Sequence, residues 1–391
     1  MVDSLRESRK VVVQTTQAEV SSGLIDLALG HPSPELLPLE LLRDAAADRL
    51  GQGDRSFLQY GCEQGDPRFR TSLARFLSES YAVEVSPESL FVSGGVSQAL
   101  DLVCSLFTRP GDLAFVEEPS YFLALRIFAD HGLEVEGLPT DRFGLITEEL
   151  RRRLRRRRPV LLYTVPAHQN PTGATLTEAR RERLVALCRE HGVLLVADEV
   201  YHLLSYAGEP PPPLAASAGE GGLLSLGSFS KILAPGLRLG WVQAAPKLLE
   251  RLSGCGFLDS GGGLAPFTSA VVRSALEQGA QRAHLNKLRG VYGGRARAMG
   301  ASLRRALGER ALIAEPAGGF FYWVRLEGLP DTEELLVRAR ARGVAFAPGR
   351  RFSTSGAKRD CLRLSFSYYG EEQIEEGIAR LAEAIRFPAP A

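Results

Sequence analysis

The sequence predicts an α/β protein. A mainly parallel sheet, covered by helices on both faces, is joined to a smaller α+β unit. Three observations predict it. Short apolar runs recur between about residues 50 and 250 without polar alternation, as expected of strands buried on both faces. Helical patterns fall between those runs. Past about residue 275 the order changes to long helical stretches followed by compact strands.

Each element follows from its local pattern. Residues 90–95 (LFVSGG) form a buried run that leads into the helical SQALDLVCSLF. Residues 113–119 (LAFVEEP) lead into SYFLALRIFADHG. Residues 160–167 (VLLYTVPA) precede TEARRERLVALCREHG, which starts at Thr177 beside acids and stops at Gly192. Residues 192–199 (GVLLVADE) and 223–229 (LLSLGSF) complete the series, separated by a Pro/Gly/Ala loop at 208–222. The C-terminal part has a long helix over 284–307, strands GGFFYWVRL, GVAFAP and CLRLSFS, and a closing helix with Ile374, Ile378, Leu381 and Ile385 on one stripe.

Bulk properties exclude several classes. A length of 391 residues suggests two domains. The balance of 47 basic against 46 acidic residues gives no global field for nucleic acid or an anionic membrane. Cys62, Cys104, Cys188, Cys255 and Cys361 are dispersed, without a CxxC pair, and the six histidines include no HExxH. No disulfide framework or metal site is indicated. The N-terminus reads as neither a secretory nor a transit sequence, and no apolar run is long enough to span a membrane. These readings place the protein in a reducing cytoplasm. Residues 151–158 (RRRLRRRR) form a basic run, read as a solvated helix end because acids lie close by.

The informative pattern is positional. In a parallel sheet the carboxyl ends of the strands share one edge, where ligands bind. Residues 90–95 pass into Gly95, Val96 and Ser97, and 113–119 stop before Tyr121. Residues 160–167 stop before His168, Gln169 and Asn170. Residues 192–199 carry Asp198, with Tyr201 three positions later, and 223–229 run through Ser228 to Ser230 and Lys231. Asn170, Asp198, Tyr201 and Lys231 are therefore expected to converge, although they span more than sixty residues.

The Gly-Gly turn at the start of a helix offers backbone N–H groups and a positive dipole end to an anion. Arg238 adds a guanidinium fork, and Ser228 and Ser230 add hydroxyls, so together they form a phosphate cup. Taken singly, each residue has an ordinary role. A Gly-Gly pair is a tight turn, Asp198 is a structural ion pair or cap, and Lys231 is a surface lysine. A lysine in a phosphate-lined pocket opposite a buried acid has a more specific use. It forms a Schiff base, and the acid keeps the pyridinium nitrogen of pyridoxal phosphate protonated.

Six motifs stand in register: LQYGCEQGDPRFR, SGGVSQALDL, PAHQNPTG, VADEVY, SFSKILAPGLRLGW and CLRLSFS. Together they resemble the fold-type I pyridoxal-phosphate aminotransferases of class I/II, in the branch of 2-aminoadipate, kynurenine and aromatic amino-acid transaminases. The resemblance runs from GHPSPELLP at 30–38 to LRLSFS. It implies a large domain over 49–275 with a mainly parallel seven-stranded sheet, and a small α+β domain over 276–391. An N-terminal arm and lid over 1–48 would complete the small domain. It further implies pyridoxal 5'-phosphate as cofactor, amino-acid and 2-oxo-acid substrates, and a homodimer with shared active sites.

Residue by residue, the resemblance makes Lys231 the Schiff-base lysine and proton shuttle, and Asp198 the partner of the ring nitrogen. Asn170 and Tyr201 would bond the ring's phenolic oxygen, and Tyr121 would stack on the ring. Gly95, Val96, Ser97, Ser228, Ser230 and Arg238 would hold the phosphate, with Tyr60 reaching it in the neighbouring subunit. Arg363 would clamp the substrate α-carboxylate, beside Asn170, with the Gly30 backbone closing over it. His168 is a packed spacer.

Two features depart from the pattern. Val96-Ser97 stands where relatives carry Ser-Gln or Ala-Thr, which matters little to backbone donors. No arginine lies between Lys10 and Gly30, where some relatives bind an acidic side chain. That absence leans the donor towards neutral or aromatic amino acids, with glutamate or 2-oxoglutarate as common partner. Two rivals share the motifs. One is another pyridoxal-phosphate enzyme, such as a β-lyase, decarboxylating or cyclising enzyme or oxidase. The other is a transcription regulator's sensor domain, for whose winged helix the 29 residues before Gly30 are too few.

Overall fold

The computed structural model describes residues 14–15, 18–19, 23–217 and 221–386. The lid expected before Gly30 falls largely outside them. At the centre lies an eight-stranded sheet. Its strands are β1 (Leu90–Ser93), β2 (Leu113–Glu118), β3 (Glu134–Asp141), β4 (Gly144–Leu145), β5 (Leu161–Thr164), β6 (Leu194–Asp198), β7 (Leu223–Ser228) and β8 (Gly240–Ala244). The order across the sheet is β1-β8-β7-β6-β5-β2-β3-β4. β7, β6, β5, β2 and β3 pair in parallel, and β8 runs antiparallel between β1 and β7. The expected seven strands are present, and the two-residue β4 folds back on β3 as an eighth.

The lack of polar alternation in these strands has its cause in the packing. Tyr163 and Val196 enter the main core on one face, while Leu162, Leu195 and Ala197 enter a second core on the other. Side chains alternate faces along a strand, so both sets must be apolar. The helix Glu178–His191 ends at Gly192 in the left-handed region (φ 66°), as its stop signal predicts.

A smaller antiparallel sheet joins Ala311–Ile313, Phe321–Leu326, Cys361–Ser365 and Ala347–Pro348. The helices Ala280–Leu307 and Glu371–Arg386 pack together beside it, with Ile374, Ile378 and Leu381 buried as the stripe predicts. Near the N-terminus, Ile25–Asp26 pairs in parallel with Val344–Ala345, tying Gly30 to this second layer. Within the basic run, Arg151, Arg152, Arg153 and Arg157 are ion-paired to Glu148, Glu149, Glu136 and Glu134, as the solvated-helix reading expects. Among the described residues, no helix is long and apolar enough to cross a membrane, and no His/Cys/Asp/Glu group is arranged to hold a metal.

Candidate active site

The carboxyl edge of the large sheet and the small sheet enclose a cavity of about 420 Å³. Register explains the convergence. Leu226 on β7 lies opposite Asp198 at the end of β6, so the chain leaving β7 carries Ser228, Ser230 and Lys231 past the acid. Ser93, Gly240 and Ser228 lie side by side across β1, β8 and β7. A Cβ on Gly240 would meet the Gly227 carbonyl at 2.6 Å and the Gly95 Cα at 2.9 Å, so only glycine lets the Gly95 turn sit there.

That turn opens the helix Val96–Phe107 with Gly95 at φ 93° and no side-chain cap. The N–H groups of the first helical turn thus face the cavity edge that Val96 and Ser97 line. Arg238, itself left-handed at φ 47°, donates from Nη2 to the Gly94 carbonyl at 3.0 Å. The Ser228 and Ser230 hydroxyls lie 2.9 Å apart. Uncapped N–H groups, two hydroxyls and a guanidinium together match a phosphate dianion.

Asp198 is 3% exposed and accepts hydrogen bonds from the Tyr163 hydroxyl at 2.7 Å and the Val200 N–H at 3.4 Å. Burial pushes its carboxyl up to about 6, against those bonds and the Lys231 charge. The Lys231 Nζ donates to the Gly30 carbonyl at 2.9 Å and lies 5.6 Å from the Phe320 ring centre. Burial first, then Arg363, brings its amine down to about 8, while Asp198 opposes the shift. Tyr201 is clasped edge-on by Phe320 and Phe321, and among the described residues nothing hydrogen-bonds its hydroxyl.

Arg363 is 4% exposed. It donates to Asn170 Oδ1 at 2.9 Å and to the Ala28 carbonyl at 2.7 Å, and its guanidinium lies 4.0 Å from the Phe321 ring centre. Among the described residues its Nε has no hydrogen-bond partner. A buried carboxylate whose only hydrogen-bond donors are neutral and a buried guanidinium with an unused donor face one enclosed space. Both call for a ligand of opposite charge.

Twelve of the sequence-selected residues line the cavity: Gly30, Val96, Ser97, Tyr121, Asn170, Asp198, Tyr201, Ser228, Ser230, Lys231, Arg238 and Arg363. Gly95 sits just behind, with its Cα side against the Arg238 guanidinium. Tyr60 is 83% exposed and does not line it. His168 is buried outside the lining, packed on Gly318 and Gly319, and burial holds it neutral, at about 3.

Sequence reasoning missed Tyr163, Glu117, His31, Asp26, Arg340 and Arg351. Glu117 is 1% exposed and accepts from Thr164 Oγ1, the Val165 N–H and Gln169 Nε2. Gln169 Oε1 in turn accepts from the Thr172 N–H, so this pair fixes the turn that presents Asn170. A carboxylate in EEP carries no spacing signal, and Tyr163 reads as one more apolar strand residue.

The fold and cavity define a fold-type I pyridoxal-phosphate enzyme. Residues 22–381 match the family Aminotransferase class I and II, and the chain belongs to that family. It is 35% identical over 373 residues to the aromatic-amino-acid aminotransferase 1 of Thermococcus litoralis, covering 94% of this chain and 89% of that one. It is 35% identical over 370 residues to the 2-aminoadipate transaminase of Thermus thermophilus, covering 93% and 90%. Among solved structures, the kynurenine aminotransferase of Pyrococcus horikoshii superposes with a TM-score of 0.89 at 33% identity, covering 95% of this chain and 93% of that one. That structure is a complex with PMP. The protein is a transaminase, and its cofactor is pyridoxal 5'-phosphate.

Proposed function

We propose that the cavity moves an amino group between an L-amino acid with a neutral, aromatic or 2-aminoadipate-like side chain and a 2-oxo acid such as 2-oxoglutarate. The observation that carries this is the pairing of a buried Asp198 and a half-buried Lys231 at one end of the cavity with a buried Arg363 whose Nε has no partner among the described residues. Val96, Ser97, Ser228, Ser230 and Arg238, with Gly95 behind them, hold the cofactor's phosphate. Tyr121 covers its ring, and Asn170 and Tyr201 bond the ring's hydroxyl oxygen. Lys231 holds the cofactor covalently. When bound, pyridoxal phosphate supplies an electron-withdrawing ring that stabilises negative charge at the substrate Cα.

The chain's own residues do the rest. Asp198 stays ionised against its burial because a cationic ring N–H offsets the cost of desolvation. Arg363 orients the substrate by a two-point grip on its α-carboxylate, and the Gly30 backbone closes over it. Lys231 Nζ, released when the substrate amine takes its place on the cofactor, would take the proton from Cα and deliver it to the cofactor, which requires a neutral amine; its fall to about 8 leaves a usable neutral fraction near pH 7. The same residues serve donor and acceptor in turn, so ping-pong kinetics follow.

We also infer a cytoplasmic homodimer acting in amino-acid metabolism. Leu58, Tyr60, Phe257 and Phe267 are exposed on segments that touch each other through the Phe57–Phe267 ring pair and the approach of Gly61 to Gly262. An apolar patch of this kind suits a second copy, and it would carry Tyr60 to the partner's phosphate site. All five cysteines are free, which suits a reducing compartment. Domain boundaries at 48/49 and 275/276 fit this reading, with the helix Ala280–Leu307 leading into the small domain.

The test is a half-reaction. Each amino acid, added alone to the loaded protein, should convert the visible absorbance stoichiometrically, and an oxo acid should restore it. Ammonia, carbon dioxide or peroxide released while the band persists would assign a different reaction to the scaffold.

A further inference from the structure

Two guanidiniums in the cavity have no task in the reading above. Arg351 lies in the short turn Gly349–Phe352, just after the Ala347–Pro348 strand. Arg340 lies in the last turn of the helix Thr332–Ala341. Both line the cavity. Arg238 and Arg363 are anchored to carbonyls and Asn170, whereas Arg340 and Arg351 form no ion pair among the described residues. Among the described residues, the Arg351 guanidinium is held only over the Phe122 ring, 4.9 Å from its centre.

The other charges there already have partners. Asp198 and Lys231 serve the cofactor, Arg238 its phosphate and Arg363 the α-carboxylate. His31 is held neutral, at about 4, by burial and by Lys231 and Arg363. Asp26 lines the cavity, but its Oδ1 accepts the Ala28 N–H at 2.9 Å. Two arginines therefore line a cavity that offers them one partly engaged carboxylate.

Aromatic rings link Arg351 to Arg363. The Arg363 guanidinium lies 4.9 Å from the Phe352 ring centre, and Phe352 meets Phe122 edge-on at 5.4 Å. Arg351 in turn stacks on Phe122, so a chain of ring contacts links it to Arg363. Two guanidiniums linked through two neighbouring rings at one cavity suit the two ends of a short dicarboxylic acid. Arg351 can also keep its stacking contact when no carboxylate arrives, because a guanidinium plane accepts both a carboxylate and an aromatic face.

We propose that Arg351, backed by Arg340, reads the distal carboxylate of a short 2-amino or 2-oxo dicarboxylic acid, so that one substrate of the cycle is acidic and the other neutral or aromatic. This rests on the transaminase reading of the cavity. It leaves the lean of the other substrate towards neutral or aromatic side chains in place; the guanidiniums come from the segments around the small sheet.

The test compares loaded wild type with Arg351→Gln, Arg351→Lys and Arg340→Gln. The readout is the ratio of half-reaction kcat/KM for glutamate to that for leucine. Arg351→Gln should lower the ratio at least about 10-fold, equivalent to about 1.4 kcal/mol, mainly through the KM for glutamate. Arg351→Lys should recover part of it, and Arg340→Gln should give a smaller loss in the same direction. A second readout needs no turnover. Glutarate should raise the wild-type Tm more than pentanoate does, and Arg351→Gln should erase the difference. An unchanged ratio, or a glutarate preference that survives in Arg351→Gln, overturns the proposal. Wild type that converts no amino acid at all would defeat the transaminase reading, while the glutarate comparison would still decide the role of Arg351.

Discussion

Removing one hydroxyl tests how Asp198 is held in its charged form. Tyr163→Phe keeps the ring and its edge-on contact with Phe128 at 5.7 Å, but deletes the 2.7 Å donor to Asp198 Oδ2. What remains is the longer bond from the Val200 N–H at 3.4 Å. A buried hydrogen bond to a charged group is worth about 1.5–3 kcal/mol. At about 1.4 kcal/mol per unit, the Asp198 pKa should rise by about 1–2 units. From a starting point of about 6, that puts the midpoint at or above neutrality. The direction is fixed, because the lost bond favoured only the ionised form. The assay is cofactor affinity across pH. On the acid side, affinity should fall as Asp198 takes up a proton and loses its attraction for the ring nitrogen. In Tyr163→Phe this acid limb should move up by about 1–2 units, while the alkaline limb stays in place. An unmoved acid limb would refute the reasoning.

Three further outcomes follow from the same geometry. The rate at which the empty protein captures pyridoxal phosphate should rise with pH and level off above about 8, where the Lys231 amine is neutral; Asp198→Asn should move that midpoint lower, because Asp198 favours the protonated amine. Arg363→Gln should raise the KM of every amino acid and oxo acid by about 10- to 100-fold in steady-state assays, since each presents the same α-carboxylate. Gly240→Ala should force apart the Gly227 carbonyl and the Gly95 turn, costing about 1–3 kcal/mol; it should lower the Tm and weaken cofactor binding.

Much of the site was legible because strand ends are marked in sequence. Asp198 ends an all-apolar run, and Lys231 sits behind two serines and before a Pro-Gly pair; nothing in the core needs such residues there. Parallel pairing turns those marks into one edge, and the Leu226–Asp198 register brings them together. The residues that support the site were not legible. Tyr163 and Glu117 have ordinary strand neighbours, and their importance lies in hydrogen bonds across to β6 and to the Asn170 turn. Arg351 and Arg340 enter from the far end of the chain, and only folding shows that they reach the cavity while Arg350, one position away, does not line it. Tyr60, exposed on the surface, does not line the cavity of the single chain.

The central claim is that Lys231 alone carries the cofactor. The sequence contains five lysines, so the claim can be tested by attachment. The loaded protein would be treated with borohydride, digested, and mapped by mass spectrometry. A phosphopyridoxyl group on the peptide containing Lys231, and on no other lysine, is the predicted result. A group fixed to Lys10, Lys247, Lys287 or Lys358 instead, or no group fixed at all, would contradict the account.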